Sequence, residues 1–141
     1  MVERIPGEFD AFLAERRNAI LCIARGPGAP PHATPVWFEY ADGRFRISIT
    51  RERVKYRLIQ REPQVTLVVD ADSRFQTVIV SGRAELSDDD ASLLSLTRAL
   101  REKHRSGAAD ASDEELLRQL REEQRVVLTV VPAQVVTWAN D

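Results

Sequence analysis

The alternation of apolar and polar residues along this chain predicts a mainly β protein. Residues 44–49 alternate strictly, and Asp42-Gly43 directly before them is a strong signal for a hairpin turn. Pro132 lies within the last apolar run and indicates a sheet edge or a β-bulge at that point. Strands are predicted over residues 18–25, 32–41, 44–49, 65–70, 75–86 and 126–138. Because tight turns join neighbouring strands, the pairing is expected to be antiparallel, and a small sheet of this kind tends to close into a barrel.

Helical patterns are confined to four short stretches. One covers residues 8–16, and the longest covers residues 88–105, with three aspartates near its start. The predicted buried face of this longest helix consists of Leu93, Leu96 and Leu100. A third helix opens with a capping box formed by Ser112 and Glu115. The fourth, over residues 51–62, carries the most unusual charges of the chain.

This fourth helix has its own start and stop signals. Thr50 is expected to cap it, because a threonine hydroxyl can accept from a free N–H of the first turn. Val54 and Leu58, four residues apart, mark the predicted buried face. Pro63 should end the helix, since proline disfavours helical conformation in the residue before it.

The charges of this segment do not follow the helix dipole. Residues 44–61 hold seven bases and one acid, a local charge of +6, and the helix start carries Arg51, Arg53 and Lys55 where acids are expected. This pattern is either a solvated basic face or an anion site. A phosphate at such a helix start would find free N–H groups and cationic side chains together. Arg51 and Lys55, four residues apart, are predicted to share one face and to reach one phosphate group.

The composition indicates one soluble globular domain over residues 1–141, with 43% hydrophobic and 30% charged residues. The net charge of −2 argues against a nucleic-acid partner, since dedicated nucleic-acid binders are usually basic overall. No stretch has the apolar length of a signal peptide or a membrane span, so a cytoplasmic protein without a membrane partner is expected. Cys22, the only cysteine, lies in an apolar run and is predicted to be a small buried core residue.

Side-chain catalysts are not evident from the sequence. His32 and His104 are far apart, and neither belongs to a metal-ligand spacing. His104 lies near a helix C-terminus, where a surface cation is expected. His32 precedes the strand that contains Trp37 and is a candidate pocket residue. We therefore predict no catalytic residue and no metal site, and we expect a cofactor to carry any chemistry.

Three stretches of the chain resemble those of a known family. They are His32-Ala33-Thr34-Pro35-Val36-Trp37-Phe38, then Ser48-x-Thr50-Arg51-x-Arg53-x-Lys55 followed by Glu62-Pro63, and Val78-Ile79-Val80-Ser81-Gly82-Arg83-Ala84-Glu85-Leu86. Their order and spacing, over residues 8–138, resemble the flavin-binding split-barrel superfamily of pyridoxamine 5′-phosphate oxidase. Within it, the chain is most similar to the branch that uses the deazaflavin coenzyme F420.

The resemblance implies an α+β fold, a split antiparallel β-barrel that forms a homodimer with two equivalent cofactor sites at the subunit interface. The residues implied to hold the cofactor phosphate are Ile49, Thr50, Arg53 and Lys55, with Ser48 and Arg51 adjacent. Those implied to lie along the ring system are Pro35, Val36 and Trp37. Those implied to come from the other subunit are Phe75, Gln76, Thr77 and Val78.

The chain departs from the family pattern at several points. The first turn is Ala29-Pro30-Pro31, where the family often has arginine or threonine before the proline, and Leu58 stands where the family helix commonly has asparagine. The arginine-rich flavin motif of the true pyridoxamine phosphate oxidases is not evident, which argues against that specific activity.

The function predicted from the resemblance is an F420-dependent oxidoreductase, which transfers a hydride between the deazaflavin and a small conjugated acceptor. FMN, which also has one phosphate, is the alternative cofactor. A further alternative is a protein that binds a flavin or deazaflavin without turnover. Trp37 and Trp138 are either pocket residues or core and interface aromatics, and the neighbours of Trp37 favour the pocket for that residue.

Overall fold

The computed structural model describes residues 3–71, 76–107 and 110–139. Its strands are β1 (Ala19–Ile23), β2 (His32–Val36), β3 (Glu39–Ala41), β4 (Arg44–Thr50), β5 (Gln64–Asp70), β6 (Gln76–Ser87) and β7 (Arg125–Ala139). Its helices are a 3-10 turn (Gly7–Phe9), α1 (Asp10–Ala14), α2 (Val54–Arg61), α3 (Asp90–His104) and α4 (Asp113–Glu122). The strands form one antiparallel sheet in the order β2-β1-β5-β6-β7-β4-β3, which confirms the expected α+β split barrel.

Trp37 and Phe38 join the two edges of this sheet. Strands β2 and β3 are the outermost strands, yet only these two residues separate them in the chain. A connection of this length bridges at most about 11 Å, so the sheet has to curl until its edges meet. The continuous strand predicted over residues 32–41 is therefore wrong, because the chain passes from one edge to the other at this point. We call Trp37-Phe38 the seam.

Alternate side chains of the strands fill the barrel. In β4 the inward residues are Phe45, Ile47 and Ile49, as the strict alternation predicts. A second, smaller core lies where α3 and α4 cover Val127. The buried face predicted for the longest helix is confirmed in this second core, with Leu93, Leu96 and Leu100 buried.

Local signals set the boundaries of α3 and α4 but not those of the first helix. The predicted capping box is present, since the Ser112 hydroxyl accepts from the Glu115 N–H. The helix predicted over residues 8–16 is shorter, and α1 ends at Ala14 because Glu15 is already extended towards β1. None of the helices in the described ranges has the length and hydropathy needed to span a membrane.

Of the two features predicted at Pro132, a sheet edge or a β-bulge, the structure has the bulge. The register between β6 and β7 shifts between Ser81 and Gly82, and Gly82 lies opposite Pro132. A β-carbon built on Gly82 would lie 2.1 Å from the carbonyl oxygen of Val131. Only glycine therefore allows the two strands to approach so closely at the bulge.

The outer face of the sheet carries a row of apolar side chains. Ile20, Val68, Ile79 and Val136 lie side by side on four neighbouring strands. Ile20 is 38% exposed and Val136 is 47% exposed, and Trp138, two residues further along β7, is half exposed. We call these five residues the apolar row.

Cys22 also lies on the outer face, which corrects the prediction that it is buried in the core. It is partly exposed, whereas Ala19, Leu21 and Ile23 are fully buried. Strand β1 is apolar on both faces, so the sequence does not reveal which alternate set points inward.

Candidate functional site

Helix α2 begins later than the sequence predicts. It starts at Val54, and Arg53 is the N-cap residue without a capping bond from its side chain. Thr50 is therefore not the cap, and its carbonyl instead accepts from the N–H of Arg53 in a turn. Val54 is 40% exposed, so only Leu58 of the predicted pair is buried. The first turn of α2 holds no acid, because Glu52 precedes it, and no residue of α2 itself neutralises the positive helix end.

Lys55 connects this helix start to strand β2. Its Nζ donates to the Thr34 hydroxyl at 3.3 Å, one residue before Pro35. Burial lowers the pKa of Lys55, and the positive charges of Arg53 and Arg125 lower it further. Arg53 and Arg125 therefore both lie close enough to Lys55 to repel its charge, and an anion among the three would relieve that repulsion. We call Arg53, Lys55 and Arg125 the cation cluster.

Thr50 adds an unsatisfied hydroxyl next to this cluster. It is 8% exposed, and its Oγ1 is buried without a hydrogen-bond partner among the residues described. Its partner in the β4–β7 ladder is Arg125. Leaving a buried hydroxyl unpaired costs about 1–3 kcal/mol. A free hydroxyl beside three cations is a donor set that fits a phosphate group.

Arg51 is engaged elsewhere. Its guanidinium pairs with the Asp88 carboxylate at 2.5 Å, and this hydrogen bond raises the pKa of Arg51. Because α2 starts only at Val54, Arg51 and Lys55 do not share a helix face, contrary to the prediction. Arg51 therefore lies beside the cation cluster with its charge already partnered.

The predicted ring-binding strand ends at the seam. Pro35 and Trp37 are exposed, whereas Val36 is buried in the barrel core. The Trp37 indole stacks on the His104 imidazole, with ring centres 4.0 Å apart and planes inclined by 4°. His104 is only 8% exposed, so the expected surface cation is wrong. Burial lowers the pKa of His104, which favours the neutral form of the imidazole under Trp37.

Lys103 fixes the other seam residue. Its Nζ donates to the Phe38 carbonyl at 2.8 Å and to the Leu13 carbonyl at 3.0 Å, and lies 3.6 Å from the centre of the Phe38 ring. Burial lowers the pKa of this ammonium to about 8. The last turn of α3 thus holds both seam residues, Trp37 through His104 and Phe38 through Lys103.

The remaining predicted residues fall into two groups by the direction of their side chains. Ile49 and Val78 point into the barrel core, so they can offer only backbone groups to a ligand. Ser48 lies on the opposite face of β4 and lines a cavity beneath α3 and α4. The phosphate-site residues of β4 therefore split, with Ser48 and Thr50 on the outer side of the barrel.

The residues predicted to serve the other subunit lie at the start of β6. Gln76 is partly exposed, and the Thr77 hydroxyl donates to the Asp70 carboxylate at 2.6 Å. Thr77 also lies opposite Trp138 in the β6–β7 ladder, next to the apolar row. Phe75 lies outside the described residues.

The sequence alone missed three residues of this site. Arg125 opens β7 and has no distinguishing signal until its pairing with Thr50 is known. Thr34 is an ordinary strand residue by its pattern, and its role comes from the contact with Lys55. His104 was assigned to the surface from its helix position. His32, a predicted candidate, lies near Lys55, whose charge contributes to its lowered pKa after burial and Arg25.

The fold defines a class, the split barrels related to pyridoxamine 5′-phosphate oxidase, and several solved structures share it. A conserved hypothetical protein from Mycobacterium tuberculosis superposes with a TM-score of 0.77 at 20% identity, over 98% of this chain and 86% of that protein. An F420 reductase gives 0.72 at 21% identity, over 94% and 98%. A pyridoxamine 5′-phosphate oxidase-related, FMN-binding protein from Nostoc punctiforme gives 0.62 at 16% identity, over 87% and 75%. At these identities the similarity establishes the fold.

The family follows from the sequence itself. The family described as pyridoxamine 5′-phosphate oxidase matches residues 5–139, and the chain belongs to this family. None of the curated proteins matches the chain. The fold is shared with the F420 reductase and with the FMN-binding protein from Nostoc punctiforme.

Proposed function

We propose that this protein is a coenzyme F420-dependent oxidoreductase that transfers a hydride between the deazaflavin and a small conjugated acceptor. The contact between Lys55 and Thr34 carries the proposal, because it brings the cation cluster against the strand that leads into Trp37. A cofactor with one phosphate and a flat ring needs these two features side by side. The similar fold of an F420 reductase supports the choice of deazaflavin.

In this proposal the cation cluster and the Thr50 hydroxyl hold the cofactor phosphate. Ile49 contributes backbone groups only, since its side chain is in the core. Hydrogen bonds that involve a charged group are worth about 1.5–3 kcal/mol each, so two or three of them give substantial affinity. Ser48 and Arg51 lie adjacent, and Arg51 acts mainly through its pair with Asp88.

Pro35 and Trp37 form the wall along the ring, and Val36 supports it from the core. The stack on His104 restrains the Trp37 indole in one orientation. Bound deazaflavin would supply the hydride. The protein would place the ring, hold its phosphate and keep the acceptor on the open face.

We extend the proposal to a homodimer formed through the apolar row. Contiguous exposed apolar residues on a sheet face mark interaction surfaces, and the exposure of Ile20, Val136 and Trp138 has this character. Residues 75–78 adjoin the row. A two-fold partner packed there would bring these residues to the cofactor of the other subunit.

FMN is the second candidate cofactor, favoured by the family and by the fold shared with an FMN-binding protein from Nostoc punctiforme. Its single phosphate suits the same cation cluster. The non-catalytic alternative keeps either cofactor and predicts tight binding without reduction of any acceptor.

The decisive experiment is a titration of the apo-protein with the deazaflavin and, separately, with FMN, followed by tryptophan fluorescence in a Trp138→Phe background. We expect the deazaflavin to quench Trp37 at micromolar concentration and FMN to bind more weakly. The reverse order, or purification as a yellow FMN complex, would select the alternative cofactor. Binding of neither would refute both.

A pair of variants on helix α2 tests the site within the same titration. Lys55→Gln should weaken deazaflavin binding about tenfold or more, since it removes one charge-assisted contact. Arg57→Gln is the matched control, because Arg57 is exposed on the same helix and carries the same charge. Equal effects of the two variants would mean that the charges of this helix form a solvated basic face and not an anion site.

A further inference from the structure

A cavity of about 170 Å³ lies between helices α3 and α4 and the paired strands β4 and β7. Trp37 and Ser48, two of the residues predicted for the cofactor site, belong to its wall. The volume far exceeds what one water needs and falls below that of drug-sized pockets. The cavity therefore borders the proposed cofactor site and has the size for a ligand of about one ring.

The wall carries an excess of positive charge. Two arginines, Arg101 and Arg125, line it together with one acid, Glu123. Glu123 Oε2 lies 3.7 Å from Arg125 Nε, so the single acid is opposite that arginine. Arg101 has no carboxylate partner among the residues described. One guanidinium thus remains available to a carboxylate ligand.

The Arg101 side chain lies against the turn that follows its own helix. A β-carbon built on Gly107 would lie 2.9 Å from Arg101 Nε and 3.1 Å from its Cζ. The guanidinium therefore packs directly on the backbone at Gly107, whose φ of +77° also favours glycine. The planar fork of an arginine is preorganised, so it loses less entropy for each hydrogen bond that it forms with a carboxylate.

The other side chains of the wall suit a flat apolar body. Trp37, Leu100 and Leu120 provide apolar surface, and Ser48 and Thr97 provide hydroxyl groups. A conjugated acid would place its carbon skeleton on the Trp37 side and its carboxylate at Arg101. Planar guanidinium groups bind carboxylates through two parallel hydrogen bonds, which fixes the orientation of such a ligand.

We propose that this cavity binds small conjugated carboxylic acids and that Arg101 holds their carboxylate. This inference deepens the proposed function and rests on it, because it names the chemical class of the acceptor. Arg125 is shared between the cavity and the cation cluster, and Arg101 serves the cavity alone.

The test is calorimetry on the cofactor-free protein with cinnamate and with its neutral analogue cinnamamide. We expect cinnamate to bind at least about tenfold more tightly, since the amide offers no charge to the guanidinium. Arg101→Gln should remove this preference. Arg118→Gln, an exposed arginine of α4, should retain it. Arg101→Lys, which keeps the charge and loses the planar fork, should keep part of it.

Several outcomes would overturn the inference. Equal affinity of wild-type protein for acid and amide would do so without any variant, as would absence of cinnamate binding at about 10 mM. A preference that persists in a folded Arg101→Gln variant would exclude Arg101. Weaker deazaflavin binding with unchanged cinnamate binding would assign Arg101 to the cofactor. Because cinnamate binding is measured without cofactor, failure of both cofactors to bind refutes the proposed function separately.

Discussion

The indole of Trp37 and the imidazole of His104 lie parallel, with ring centres 4.0 Å apart. Trp37 belongs to the seam, and His104 is the last residue of the longest helix, α3. One ring is 42% exposed and the other is buried. The stack therefore links a predicted cofactor-binding residue to the C-terminal turn of α3. Protonation of the buried imidazole would introduce a charge under Trp37.

This relationship predicts an acid-sensitive fold. Burial lowers the pKa of His104 below its ordinary value of 6.5, and the charges of Lys103 and Arg16 lower it further. The unfolded chain therefore takes up this proton at a higher pH than the folded protein does. The stability associated with His104 is complete above pH 6.5 and is lost as the pH falls through the folded-state pKa. We expect His104→Phe, which stacks without titrating, to lose less stability on acidification.

Urea unfolding of both proteins at pH 7.5 and at pH 5 provides the measurement. Other titrating groups, including His32, contribute equally to the two proteins, so the difference between them isolates His104. An identical loss of unfolding free energy in the wild type and in His104→Phe would contradict the prediction.

The structure adds Arg125 to the phosphate site, which leads to a second prediction. Arg125→Gln should weaken binding of the phosphorylated cofactor about tenfold, close to the effect of Lys55→Gln. Arg51→Gln should have a smaller effect, because Asp88 pairs with Arg51 at 2.5 Å whereas Glu123 lies farther from Arg125, at 3.7 Å. Fluorescence titration of the three variants gives the ranking. A larger loss in Arg51→Gln than in Arg125→Gln would mean that Arg51 leaves Asp88 for the phosphate.

The bulge at Gly82 predicts a large effect of one methyl group. Gly82→Ala would force a β-carbon against the Val131 carbonyl oxygen, at 2.1 Å without relaxation. We expect a loss of about 2 kcal/mol or more of unfolding free energy. Gly7→Ala is the control, because its nearest neighbour would be Asp10 Oδ2 at 3.9 Å, and it should change stability by less than about 0.5 kcal/mol. Similar denaturation midpoints for the two variants would show that the bulge relaxes easily.

The apolar row predicts the effect of a single charge on assembly. Val136→Asp places a carboxylate within the proposed dimer surface, where it would be desolvated on association. Light scattering after size exclusion should show a dimer for the wild type and a monomer for the variant. Gln119→Asp, on the exposed face of α4, should remain dimeric. A monomeric wild type, or a dimeric Val136→Asp variant, would place the interface elsewhere or remove it.

Local patterns predicted those parts of the fold in which one face is buried and the other is not. Strand β4 and helix α3 have this property, and their inward residues were identified from period alone. Strand β1 lacks it, since Ile20 on its outer face is as apolar as the core residues. The side of Cys22 was therefore undetermined by pattern.

The residues of the candidate site likewise fall into those that local sequence reveals and those that only the tertiary structure reveals. Arg53 and Lys55 stand out because their charge opposes the helix dipole, which is a local property. Arg125 and His104 become visible only when β7 pairs with β4 and when α3 crosses the seam. Both are tertiary relationships between residues far apart in sequence, which no single stretch of the chain records.

The pairing of β4 with β7 has a consequence for how the chain acquires its function. Thr50 meets a strand partner, Arg125, that follows it 75 residues later, after every other strand has been made. A nascent chain that ends before β7 would already carry the basic helix but not the complete anion site. Contacts between such distant segments form slowly. The cofactor would then bind only after the barrel is complete. Because it binds the native state alone, free cofactor would shift the equilibrium from late folding intermediates to the native state by mass action.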